Sequence, residues 1–215
     1  MDGDAVEVDL EVEAGATLVV FTQASTKVFR GASSQAVRAT VEGTLVLMPD
    51  PVACFRGARY RQRVDVALRG EGACVVLDGF TSGRAAYGDR WAFERLDLRT
   101  TITRGGSVVA RDALRLDAAD GPVAERMGRF EAVQTVLGFG GRVRPIVDAL
   151  LAPSIAERDR VVAPSPLPLL SEGGAPAGAV VRIAATSPWA ALAEARQRLR
   201  NLPDIDAVDP FGARH

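Results

Sequence analysis

The sequence is short of metal-gripping side chains. It has one histidine, His215 at the last position, and two cysteines, Cys54 and Cys74. A closed zinc-type site needs four such ligands, so none is expected from this chain alone. The same shortage speaks against a histidine triad or a histidine general base. Cys54 and Cys74 lie in apolar, strand-like runs without a CxxC spacing, and they read as buried core thiols rather than a disulfide framework. Charge of one sign is not in excess either: the formal net charge is -1, which leaves no broad basic footprint for nucleic acid or an anionic membrane. No uninterrupted apolar run reaches bilayer length. The acidic start Met1-Asp2-Gly3-Asp4 lacks the basic-then-apolar order of a signal peptide, so the expected location is the cytoplasm. Lysine occurs once, as Lys27, and every other basic side chain except the terminal histidine is arginine. A lone lysine in so arginine-rich a chain marks a position suited to a compact, rotatable ammonium.

What is present is a chain of 215 residues, 47% apolar and 25% charged, enough for one globular domain with a sizeable core. Val6, Val8, Leu10 and Val12 alternate with Glu7, Asp9, Glu11 and Glu13, the period-2 pattern of a strand with one wet face. Ala14-Gly15-Ala16 then turns the chain into the apolar run Thr17 to Phe21. The phrase recurs after Gly43 and after Gly72, with Gly105-Gly106 as a looser fourth copy. A glycine turn followed by an apolar strand at near-constant period marks stacked β units that each cover the last. Further alternating runs lie between the turns, at residues 35–41, 63–68, 93–102 and 110–116. The expected fold is mainly β, a β-helix-like stack of antiparallel or mixed strands with a few short helices towards the C-terminus.

The expected organisation is a single domain over residues 1–215. Residues 1–122 form its β-rich body and 123–162 a strand and short helix. Residues 163–178 read as a flexible Pro/Gly-rich loop, and 179–215 as a closing strand, helix and tail. The last helix is signalled by Ser187 as N-cap, Pro188 at its first position, and a stripe of Trp189, Leu192, Ala195 and Leu199 expected to pack on the β body. Gly138-Phe139-Gly140-Gly141 lacks the lysine and hydroxyl of a phosphate-binding loop.

Four separated signatures stand out. They are Thr22-Gln23-x-x-x-Lys27-Val28-Phe29-Arg30; Pro49-x-Pro51 with Phe55-x-Gly57-Ala58-Arg59-Tyr60-Arg61-Gln62; Gly83-Arg84-x-x-x-Gly88-Asp89-x-x-x-Phe93; and Arg111-Asp112-Ala113-Leu114-Arg115-Leu116. In order and spacing they resemble the UreD (also UreH) family of urease accessory proteins across about Val6 to Leu116. The back third matches in outline only. Two departures are visible: of the family's leading strand-rich segment only Gly3-Asp4 remains, and the closing Asp209-Pro210-Phe211 is not the family's usual tail.

The resemblance implies a maturation factor without catalytic residues. It would join UreF and, through UreF, the GTPase UreG, sit on urease apoprotein, and assist nickel delivery along an internal watery passage. Nickel would be in transit and no cofactor held tightly. Carboxylates, hydroxyls and carbonyls can pass a hydrated divalent ion that imidazole and thiolate would trap. Candidate passage residues are Thr22, Gln23, Ser25, Asp78, Glu94 and Asp112. Candidate partner contacts are Lys27, Arg30, Arg56 and Phe211. Arg84 and Asp89 read as a clamp around a turn at Gly88. Phe55, Tyr60, Trp91 and Phe93 read as core. Two rivals stay open: a β-helix hydrolase or lyase using Asp78 and Asp112 as paired acids, and a metal-independent β interaction module.

Overall fold

The stacking of glycine turns gives the architecture its pitch. The computed structural model describes residues 2–167 and 174–200. The chain opens with β1 (Asp4–Val12), β2 (Thr17–Phe21), β3 (Lys27–Val28), β4 (Gly31–Val41), β5 (Thr44–Met48), β6 (Val52–Cys54), β7 (Ala58–Leu68) and β8 (Ala73–Thr81). These strands alternate between two sheets as the chain winds. In the first sheet β1, β4 and β7 lie parallel, with Asp4 beside Ser33 and Ser33 beside Tyr60. In the second sheet β2, β5 and β8 lie parallel, with Thr17 beside Thr44 and Thr44 beside Ala73. At each corner the backbone bonds to the turn before: Thr44 N donates to Ala16 O at 2.8 Å and Ala73 N to Gly43 O at 2.9 Å.

Two of the turn glycines are there for room. A Cβ on Gly43 would overlap the carbonyl oxygens of Ala16 and Glu13, and one on Gly72 the carbonyl oxygen of Val41. Gly15, by contrast, has open space around it and a φ of +80° that L side chains rarely adopt.

After β8 the winding stops. β9 (Arg95–Arg104) joins the first sheet parallel to β7, but β10 (Ser107–Asp117) returns antiparallel to β9, so Gly105-Gly106 makes a hairpin and not a fourth turn of the coil. Both glycines have positive φ, as a tight reversal between adjacent strands requires. A short α1 (Val123–Met127) leads to β11 (Ala132–Phe139), then come α2 (Arg144–Leu150), β12 (Ile155–Ala156), β13 (Arg160–Pro166), β14 (Gly178–Ala185) and α3 (Pro188–Arg198). β11 pairs antiparallel with β8, β14 with β11, and β13 with β14, extending the second sheet. Ala163-Pro164-Ser165-Pro166 therefore lies in a strand, not in the loop expected there. β13 pairs on one side with β14 and only briefly on the other with the two-residue β12, an edge-like setting that tolerates prolines.

The sheets enclose two apolar clusters between them, one around Val37, Val64, Cys74 and Val76 and one around Tyr60, Phe80, Phe93 and Leu98, and α2 and α3 cover the outer face of the second sheet over Val46, Val75, Val136, Val181 and Ile183. Trp189 is a correction to the expected packing stripe: it is 75% exposed. The face of α3 is set by a buried ion pair instead. Arg198 Nε donates to Glu194 at 2.9 Å, and its Nη1 and Nη2 reach the carbonyls of Ala149 and Leu150 in the last turn of α2 and of Ala152 and Pro153 just beyond it. A guanidinium at a helix C-terminus answers carbonyls with no partner inside the helix. Leu192, Ala195 and Leu199 are buried as expected.

Gly43→Ala and Gly72→Ala are each expected to cost about 1–3 kcal/mol in urea unfolding, because carbonyl oxygens block the new methyl. Gly141→Ala, which meets nothing within 4 Å and has ordinary φ, is the control, expected within about 0.5 kcal/mol of the parent.

Candidate functional site

Inward-facing residues of the coil are apolar for most of its length, and polar at one level. On the first sheet Gln35, Tyr60 and Gln62 point between the sheets, as do Thr100 and Asp112 one rung on; from the second sheet Asp78 and Thr135 face them. The groups connect. Tyr60 Oη lies 3.0 Å from Gln35 Oε1 and 3.2 Å from Gln62 Oε1; Gln62 Nε2 donates to Asp78 Oδ1 at 2.9 Å, and Gly79 N donates to the same oxygen at 2.7 Å. Asp78 stands in the wall of two cavities. One, of about 180 Å³, is lined also by Thr22, Thr26, Gln35, Asp50 and Gln62 together with apolar residues of β1 and β2. The other, of about 10 Å³, is lined also by Thr100, Asp112 and Thr135 and has room for about one water. Beyond it Asp112 accepts from Arg182, which reaches across from β14.

Burial dominates the electrostatics. It pushes the Asp78 carboxyl up to about 6 from 3.8, against the donors Gln62 and Gly79 N and with a further lift from the charge of Asp112. Tyr60 is likewise raised, first by burial and then by Asp78. Burial also pushes Cys54 and Cys74 up to about 12, which keeps both as unreactive thiols. Among the described residues no group of three or more His, Cys, Asp or Glu is placed to hold a metal ion. The row is therefore made of oxygen and amide groups, spread along a line rather than gathered into a cage.

The sequence-predicted residues divide. Thr22, Asp78 and Asp112 line the cavities; Thr22 Oγ1 accepts from Asp50 N at 2.8 Å. Ser25 is half-buried and Gln23 exposed in the loop between β2 and β3. Glu94 is exposed on the outer side, 3.8 Å from Arg59. Lys27 and Arg30 are exposed, and Phe211 lies outside the described residues. Arg56 is anchored, donating to Asp89 Oδ1 at 2.9 Å and to Gly88 O at 3.0 Å. Arg84 completes the clamp on Asp89 at 2.5 Å, with Gly88 at φ 74°. Phe55, Tyr60, Trp91 and Phe93 are buried. Gln35, Tyr60, Gln62, Thr100, Thr135 and Arg182 were not singled out as passage groups, yet Gln35, Gln62 and Thr100 occupy the apolar parity of alternating strands, whereas Thr135 lies in β11, which is buried on both faces. A polar residue on the buried parity is the available signal.

Comparison with known proteins identifies the family. The family model described as UreD urease accessory protein matches residues 1–207. The chain belongs to the UreD family. A urease accessory protein UreD of Sorangium cellulosum (strain So ce56) is 44% identical over 216 residues, covering 97% of this chain and 67% of the relative. Its counterpart in Anaeromyxobacter sp. (strain Fw109-5) is 37% identical over 97% of this chain and 71% of its own length. A plant relative, urease accessory protein D of Arabidopsis thaliana, is 32% identical over 68% of this chain and 52% of its own. Within this UreD chain no helix among the described residues is long and apolar enough to cross a membrane.

The raised carboxyl has a definite pH signature. Folded Asp78 holds its proton more tightly than the unfolded chain does, so its contribution favours folding fully below about pH 4. It is lost as pH rises through about 6, a change on the order of 3 kcal/mol. Asp78→Asn keeps an oxygen acceptor for both donors and is expected to flatten this slope and to be more stable than the parent at about pH 7.5. Urea unfolding from about pH 4 to about pH 7.5 checks it. An unchanged slope in the variant would assign the titration elsewhere.

Proposed function

We propose that this chain serves urease maturation as a non-catalytic scaffold, joining UreF and, through it, UreG to urease apoprotein in the cytoplasm, and that nickel passes along the polar row between its sheets. The observation that carries the reading is the row itself: Thr22, Asp50, Gln35, Gln62, Asp78, Thr100, Thr135 and Asp112 lining two cavities that share Asp78. A hydrated divalent ion exchanges its waters against such hard oxygen donors without being held, and the absence of histidine from the row spares it a strong nickel ligand. At neutral pH a carboxyl titrating near 6 is largely ionised, so Asp78 offers negative charge in a low-dielectric wall where it attracts a cation strongly. Family membership supports the setting, since the relatives carry the name urease accessory protein. The acid-pair enzyme reading is weaker. Asp78 is engaged by Gln62 and Gly79 N, and Asp112 by Arg182, so neither carboxylate is poised over a substrate cleft.

Co-expression of urease with its accessory proteins, with and without this chain, tests the assignment through the nickel content of purified urease. Omission of the chain is expected to leave urease nickel-poor. Asp78→Asn is expected to slow nickel loading roughly tenfold, since it removes the charge that concentrates cations in the row. Full loading without the chain overturns the maturation role, and full-rate loading by Asp78→Asn overturns the route.

A further inference from the structure

Three consecutive corners of the coil form a ledge outside the polar row. Residues 27–31 run beside residues 53–57, with Phe55 N donating to Val28 O at 2.9 Å and Gly31 N to Gly57 O at 3.1 Å. The segment 81–89 stacks next, through the pairing of Ala53 with Thr81. Side chains line up across the three corners. Phe29 packs edge-on against Phe55 with ring centres 5.2 Å apart; the Arg84 guanidinium lies 4.4 Å from the Phe55 ring centre and 5.6 Å from that of Tyr87. Phe55 is buried, but Phe29 is 59% and Tyr87 80% exposed. Two aromatic rings left in water contribute little to the fold and are costly to present.

The base under them is braced. Asp89 is 5% exposed and held below the usual carboxylate range by Arg84, and also by Arg56. Gly83 sits against Cys54 O with no room for a Cβ. Trp91 is the one non-glycine residue with positive φ, 53°, among those described; its backbone N–H donates to Ser82 O and its indole to Phe130 O. A bulky residue in that conformation persists only where its surroundings fix it, and such strain gathers at functional segments. Beside this base, Lys27 and Arg30 are exposed, the Arg30 side chain lying over Gly57, and neither has an acidic partner among the described residues, whereas Arg56 and Arg84 share Asp89. The ledge thus combines rigid exposed aromatics with four cations against one carboxylate.

We infer that this ledge is a protein docking site for an acidic partner face, one that sets carboxylates against Lys27 and Arg30 and an apolar side chain against Phe29 and Tyr87. Arginine and aromatic anchors on a pre-ordered base are the composition of interface hot spots, because little conformational entropy is lost when they engage. Unpaired rim cations steer the encounter and make its rate depend on salt. The partner's place in urease maturation rests on the function proposed above; the chemistry of the ledge does not.

The test is binding of the purified chain to purified UreF and, separately, to urease apoprotein, by biolayer interferometry from about 50 to about 500 mM salt. Phe29→Ala with Tyr87→Ala is expected to weaken one of the two complexes about tenfold or more, through faster dissociation. Lys27→Glu with Arg30→Glu is expected to slow association and remove most of its salt dependence, and Tyr87→Phe to bind as the parent does. All five side chain changes fall on exposed positions, so each variant should stay folded, with a thermal midpoint within about 4 °C of the parent, which separates lost contact from lost fold. Parent-like binding to both partners in every variant overturns the ledge and leaves the maturation role standing. A parent chain that binds neither partner overturns both. Binding of single-stranded RNA that the double alanine variant abolishes would replace the protein partner with nucleic acid and overturn the assignment.

Discussion

The contact between one glycine turn and the carbonyls of the turn before it governs the rest of this molecule. Because Gly43 lies against Ala16 and Gly72 against Val41, successive windings stack at strand spacing, and every residue of β4 falls beside a fixed partner in β7, and those from Ser33 to Val41 beside one in β1 as well. That register fixes which side chains face inward. A slip of one residue would turn Val37, Ala39 and Val41 to water and bring Arg38 and Thr40 into the core.

The same fixed parity is what makes a polar row possible. Gln62 and Asp78 come from different sheets, yet each faces inward at the same level and they meet at hydrogen-bond distance. Buried polar groups are stable only when paired, and here Gln62 and Asp78 pair with each other across the gap while Asp78 also accepts from the neighbouring Gly79 N–H of its own strand. The cost is retained in the raised Asp78 carboxyl, a charge kept where solvent is scarce. Under the proposed nickel passage this is a useful compromise: a site that satisfied its carboxylates fully would not attract an ion, and one that gathered several of them would not release it.

Away from the row, arginine does most of the bracing. Arg198 ties α3 to the end of α2, Arg90 ties the loop before β9 to Glu131 and the backbone near Phe130, and Arg95 and Arg115 converge on Asp117. Arg198 and Arg90 use the fork of the guanidinium to bond several groups at once, which a lysine does poorly, while Arg95 and Arg115 share one carboxylate oxygen of Asp117. Lys27 stands apart from these braces, exposed at the ledge.

The alternation of Val6 to Val12 and the glycine period were enough to fix the strands, the stacking and the two-sided core, because period 2 and a repeated turn are local properties of the chain. The family was legible for the same reason: its four signatures are contiguous stretches. The hairpin at Gly105-Gly106 and the outward Trp189 were not legible. The first depends on where β10 finds a partner, the second on Arg198 reaching the end of α2, and both are contacts between residues distant in sequence. The row followed the same division. Asp78 and Asp112 could be picked out singly as acids in strands, but only the tertiary structure decided that Asp78 meets Gln62 while Glu94 faces outward, because inward and outward acquire meaning when two sheets close on each other.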